Sequence, residues 1–162
     1  MKKRVLICAV IALLGLQNIY AQNTYTNPVI RKYLADPSVI KANDGWFYVY
    51  ATESAGLAIP IYKSLNLVDW TFVGSAFTKA GRPTFVKNGW LWAPDINYIN
   101  GKYVLYYSMS VWGGEWECGI GVATSSSPSG PFKDHGKLFT SSEIGVRNSI
   151  DPCFFQDKDG KK

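Results

Sequence analysis

Two aspartates in this chain stand in matching surroundings. Asp36 is followed by Pro37 and precedes the turn glycine Gly45; Asp151 is followed by Pro152 and precedes Gly160 at the same spacing. One carboxylate before a proline is adequately read as a turn that opens a strand. Two in matching register point further. Carboxylates brought to equivalent places in a repeating structure converge and repel, which is costly unless a cation, a shared proton or a substrate compensates. The chemistry such a pair supports is acid–base work at a carbon–oxygen bond. One carboxylate activates water or attacks, and a second carboxyl, kept protonated by its neighbours, gives a proton to the leaving oxygen. Asp95 stands closer to its glycine, Gly101, so it is expected to sit differently and is the weaker candidate.

Aromatic residues make up 15% of the chain, with six tryptophans. Many suit strand cores, since Tyr48, Tyr50, Tyr103 and Val104 alternate as strand residues should. Trp90-Leu91-Trp92 and Trp112-Gly113-Gly114-Glu115-Trp116 read instead as turn-like and flanked by glycine. Rings left partly exposed there would offer a flat apolar face with a polar tip, on which the C–H face of a sugar can stack. The alternative is that these rings seal the core. Carboxylates beside exposed rings suggest hydrolysis of glycosidic bonds.

The elements that position these residues repeat. Asn43-Asp44-Gly45, Ile99-Asn100-Gly101 and Lys158-Asp159-Gly160 each carry an Asn-Gly or Asp-Gly pair suited to tight hairpin turns. The runs Trp46 to Tyr50 and Lys102 to Tyr107 follow the first two and are strand-like. Further strands are expected at Ile59 to Tyr62 and Gly119 to Ala123, then at Trp70 to Val73 and Phe132 to His135. Trp70, Gly74 and Phe77 answer to Phe132, Gly136 and Phe139 at a constant offset. The unit is just under sixty residues long, holds four short strands and shows no helical period. Four-stranded units repeated along an all-β chain are read as propeller blades, lengthened here by loops such as Lys79 to Gly89.

Met1-Lys2-Lys3-Arg4, the apolar run Val5 to Leu16 and Ile19-Tyr20-Ala21 have the three parts of a secretory signal peptide. Residues 1–21 are therefore expected to be removed after Ala21, leaving 22–162 secreted or periplasmic. The alternative, an uncleaved anchor, is disfavoured because the apolar run is short for a bilayer. The formal net charge of +5 includes Lys2, Lys3 and Arg4, so the mature chain would stand near +2. Its basic residues are scattered, which argues against nucleic acid as a partner. Cys118 and Cys153 could pair in an oxidising compartment or be two small buried residues. Neither they nor the lone His135 makes a metal set, and His135 is read as a structural residue at a strand end.

Four segments occur in the order seen in glycoside hydrolase family 43: Leu34 to Ile40, Trp92-Ala93-Pro94-Asp95, Ser125 to Phe132, and Asn148-Ser149-Ile150-Asp151-Pro152. The resemblance runs from about Asn27 to Gly160. It implies a five-bladed β-propeller and an inverting glycosidase: arabinanase, α-L-arabinofuranosidase or β-xylosidase. Asp36 matches the family's general base, and Asp151 the aspartate that raises the acid's pKa and orients it. Asn148, Ser149 and Ile150 match a sugar-contacting segment of arabinanases, Trp92 opens a signature near the pocket floor, and Gly113 beside Trp112 falls where the pocket is lined. Gly145 to Asp151 resembles the arabinanase pattern, so endo-1,5-α-L-arabinan hydrolysis is expected on a polysaccharide or oligosaccharide substrate. The resemblance requires no cofactor; many members hold a calcium or other ion in the channel, through a histidine that His135 does not match.

The departure is equally specific. The family's general acid is a glutamate from the blade after the one that Asp151 opens, and Glu53, Glu115, Glu117 and Glu143 do not stand in its context. Five units of this length need roughly twice the residues that follow Ala21. The expectation is therefore an N-terminal portion of about two and a half blades, inactive alone. The competing expectation from another class is a carbohydrate-binding propeller without catalysis.

Overall fold

A computed structural model describes residues 24–162. The expected signal peptide and its cleavage site lie outside the described residues. Eight strands form two antiparallel four-stranded meanders. The first sheet is β1 (Ser38–Lys41), β2 (Phe47–Tyr50), β3 (Pro60–Ser64) and β4 (Thr71–Ser75). The second is β5 (Trp90–Ile99), β6 (Lys102–Ser110), β7 (Gly119–Ser125) and β8 (Lys133–Thr140), followed by a single helical turn, α1 (Ser141–Ile144). Both are blades of the expected all-β propeller type, each with neighbours in chain order.

Local chemistry explains the strand ends. Asn100 and Gly101 both take positive φ and pair Ile99 with Lys102 across a two-residue turn, the geometry whose twist matches antiparallel strands. The first unit turns more widely: Gly45 N donates to Ala42 O at 3.0 Å, and Asp44 Oδ1 accepts from Trp46 N at 3.0 Å. In the outer strands Gly74 and Gly136, both at positive φ, lie where the register breaks, so the repeated glycine marks a bulge.

One apolar cluster joins the sheets, with Tyr50, Ile59, Ile61, Leu91, Leu105 and Tyr107 fully buried. Phe132 N donates to Ala76 O at 2.7 Å, and its ring meets Tyr50 edge-on at 6.0 Å. A Cβ at Gly121 would lie 2.3 Å from the Tyr107 ring. Glycine there lets the tyrosine lie across β7 and donate from its hydroxyl to Asp134 Oδ1 at 2.6 Å.

Several expectations are corrected. Trp90-Leu91-Trp92 is not a turn; it begins the longest strand, with Leu91 buried between its two neighbours. Cys118 and Cys153 are free thiols, the first buried and the second exposed, so they neither pair nor share a core. His135 sits within β8, not at its end, exposed and bonded through Nε2 to Thr124 Oγ1 at 2.7 Å. Asp151 to Gly160 repeats the opening of a unit but forms no strand, ending in a turn where Asp157 N donates to Lys161 O at 2.9 Å.

Candidate active site

The repeat is more regular in space than in sequence. Four residues before a proline adopt the left-handed conformation: Asp36 (φ 51°), Ala93 (φ 40°) and Asp151 (φ 58°), each at the opening of a unit, and Ile59 (φ 59°), just before β3. Non-glycine residues rarely hold it. The residue equivalent to Asp36 in the second unit is thus Ala93, not Asp95. Pro94, which follows, is accommodated because β5 is an edge strand and its register with β6 breaks between Trp92 and Asp95.

Two hydrogen bonds between units repeat with these positions. Thr52 Oγ1 accepts from Ala93 N at 2.9 Å, and Ser108 Oγ accepts from Asp151 N at 2.8 Å. Ser38 Oγ accepts from Ile96 N at 3.2 Å, and Asp95 Oδ2 accepts from Phe154 N at 2.7 Å. Asp95 therefore ties the second blade to the segment that follows it. Asp151 is held against the second unit by the same bonds that hold Ala93 against the first.

These bonds gather both aspartates near one strand step. Thr52 Oγ1, which takes the Ala93 N–H, donates to Asp36 Oδ2 at 2.7 Å. Trp92, the residue before Ala93, pairs across the sheet with Ser108, whose hydroxyl holds Asp151. Both carboxylates are exposed to solvent.

Beside that step lies a hollow of about 240 Å³ walled by Trp92, Trp112, Gly113, Glu115, Asn148 and Ile150. The Trp92 and Trp112 rings are 5.2 Å apart, and Trp112 is 92% exposed. Gly113 takes φ 79° and Asn148 φ 58°, which turn their loops back on themselves. Those loops are stitched together: Asn148 N donates to Glu115 O at 2.8 Å, and Arg147 pairs with the Glu115 carboxylate. Buried Ser141 Oγ accepts from Ser149 N at 2.9 Å and lies 3.0 Å from Cys118 Sγ. Five of the eight residues singled out from sequence thus line one hollow. Asp36, Asp151 and Ser149 are not on its wall, although Asp151 follows Ile150 directly and Ser149 is turned toward Val146 O at 2.9 Å.

A larger hollow of about 620 Å³ lies on the apolar face of the second sheet, between residues such as Ile120, Phe139 and Phe154, and carries no carboxylate. Size alone therefore does not mark the site.

Three of the four glutamates have other tasks. Glu53 Oε2 accepts from Arg82 Nη2 at 2.6 Å and Leu91 N at 3.0 Å, fixing the start of β5 against the loop before it. The Lys137 ammonium, then the Thr140 backbone and hydroxyl, hold the Glu143 carboxyl below its usual range. Sequence reasoning missed Thr52, Ser108 and Ser141, because a lone hydroxyl carries no pattern; only the unit-to-unit alignment exposes the first two.

The family described as Glycosyl hydrolases family 43 matches residues 25–162. The chain belongs to it. Family 43 hydrolases are generally cofactor-independent, and among the described residues no group of three or more His, Cys, Asp or Glu could hold a metal ion. The calcium suggested by the resemblance finds no ligand set among them. Family relatives include an extracellular endo-α-(1->5)-L-arabinanase of Bacillus subtilis, 40% identical over 136 residues, which cover 78% of this chain and 41% of the relative. A β-xylosidase of the same organism is 29% identical over 142 residues, covering 85% and 25%. Among solved structures, the native Bacillus subtilis arabinanase superposes with TM-score 0.68 at 34% identity, covering 80% of this chain and 46% of that one. A Cellvibrio cellulosa α-L-arabinanase complexed with arabinohexaose gives 0.66 at 32%, covering 78% and 42%. The chain spans less than half the length of these relatives, within their five-bladed propeller fold.

Proposed function

We propose that these residues serve an exported inverting glycosidase that cuts 1,5-α-L-arabinan internally. In this reading Asp36 takes a proton from the water that attacks the anomeric carbon, so the product inverts. Asp151 orients the acid and raises its pKa. Trp92 and Trp112 carry the sugar face, while Gly113, Asn148, Ser149 and Ile150 shape the loops around it. Glu53, Glu115 and Glu143 are already engaged with Arg82, Arg147 and Lys137, so the acid is not assigned to them.

The observation that carries this reading is the shared left-handed geometry of Asp36 and Asp151, each just before a proline at the opening of a unit and gathered beside the paired tryptophans. The arabinan preference rests on relatives whose names specify that polymer. Export rests on the leader-like residues 1–21 and on the extracellular naming of relatives. No helix among the described residues is long and apolar enough to cross a membrane.

The protein expressed from its complete reading frame is expected to release arabino-oligosaccharides from linear arabinan with inverted anomeric configuration. Asp36→Ala should lower that rate by at least about 10²-fold while circular dichroism stays unchanged. Full activity in that variant would remove Asp36 from the mechanism. Faster turnover of an aryl β-xyloside than of arabinan would favour the xylosidase reading, which the β-xylosidase relative supports. Sugar binding without turnover of either would favour a non-catalytic binding propeller.

A further inference from the structure

Thr52 is half-buried, two residues beyond β2, and makes two hydrogen bonds of opposite sense. Its Oγ1 accepts the Ala93 N–H at 2.9 Å and donates to Asp36 Oδ2 at 2.7 Å. A hydroxyl has one proton and two lone pairs. With the amide hydrogen occupying one lone pair, the hydroxyl proton is left to point at the carboxylate. The amide belongs to the opening of the next blade, so the orientation of Asp36 is tied to how that blade is docked. Ser108 is the corresponding hydroxyl one unit later, counted from the turn glycines Gly45 and Gly101, and it holds Asp151 N at 2.8 Å. No carboxylate stands at Ala93, so of these two hydroxyls only Thr52 has a side-chain carboxylate at its own blade's opening.

From this we infer that Thr52 is the positioning residue for Asp36: its hydroxyl, aimed by the Ala93 amide, fixes which carboxylate oxygen is left free to meet water. Thr52 touches no reacting atom and acts only through Asp36. The inference rests on Asp36 being the base, as proposed above.

The test compares Thr52→Val, which keeps shape and loses the hydroxyl, with Thr52→Ser, which keeps the hydroxyl. Both are made in the protein expressed from its complete reading frame and assayed on linear arabinan beside Asp36→Asn. A misplaced catalytic group costs on the order of 10- to 100-fold. Thr52→Val should lose that much in kcat with KM within about twofold, and Thr52→Ser should recover most of it. Wild-type kcat in folded Thr52→Val, or equal losses in both variants, would overturn the inference. If Asp36→Asn is inactive while Thr52→Val is not, this inference alone fails; if Asp36→Asn is fully active, the base assignment fails first. Should Thr52→Val not fold, Thr52→Cys, with a weaker donor of similar size, takes its place. An intermediate kcat supports the inference, and an unchanged one contradicts it.

Discussion

Asp36, Ala93 and Asp151 share a backbone conformation that L-residues adopt at a cost of roughly 1–2 kcal/mol. At Ala93 and Asp151 a bond from the backbone N–H to a hydroxyl of the preceding unit helps to hold it in place. Sequence showed the two aspartates because residue type repeats; it hid Ala93, whose methyl says nothing of φ, and drew Asp95 into the pattern instead. The aromatic platform belongs to the same scale. Trp112 is almost wholly exposed, its ring tilted against that of Trp92, so its removal leaves the core untouched. Trp112→Ala is expected to raise KM for arabino-oligosaccharides about 3- to 10-fold, in keeping with ~0.5–1.5 kcal/mol for an aromatic contact. Steady-state kinetics should show kcat nearly unchanged; an unaltered KM would take Trp112 out of the sugar path.

At the scale of elements, the strands were legible because aromatic and β-branched runs follow Asn-Gly and Asp-Gly turns. The mistake at Trp90 to Trp92 has a physical source. Gly89 does close a turn, its N–H donating to Val86 O at 3.0 Å, but the turn ends there and the strand begins immediately after it. The same strands bury hydroxyls. Burial, together with the Asp44 carboxylate that accepts its O–H at 2.8 Å, pushes Tyr48 up to about 12. Burial also raises Tyr50 on β2, and burial with Asp134 raises Tyr107 on β6. An unfolded tyrosine ionises near pH 10, so above that value the unfolded chain sheds protons that the folded one retains. The stabilising contribution is complete below pH 10 and falls as pH climbs toward the folded values. The slope is ~1.4 kcal/mol per pH unit for each such tyrosine. Urea midpoints should hold from pH 8 to 9.5 and drop steeply between pH 10 and 11.5, with Tyr107→Phe flattening the drop. A level midpoint across that range would contradict the burial argument.

Across the whole molecule, blades are joined by a pair of backbone-to-side-chain bonds that recurs from one unit to the next. That recurrence gives Ala93 and Asp151 equivalent settings one unit apart, and Thr52, which takes the Ala93 N–H, reaches back to the Asp36 carboxylate. The fold and the order of motifs could be read from sequence because a propeller repeats. The assembly of the hollow could not, since it depends on Glu115 and Ser141 binding a distant loop. One sugar unit should therefore see both aspartates. The direct measurement is a crystal structure of the Asp36→Ala protein, from its complete reading frame, with a linear arabino-oligosaccharide bound. One arabinosyl ring should lie against Trp92 and Trp112, facing the vacated position 36, with Asp151 beside the same glycosidic bond. A sugar seated on the apolar face at Ile120 and Phe139, or an Asp151 turned away from the bound ring, would contradict it.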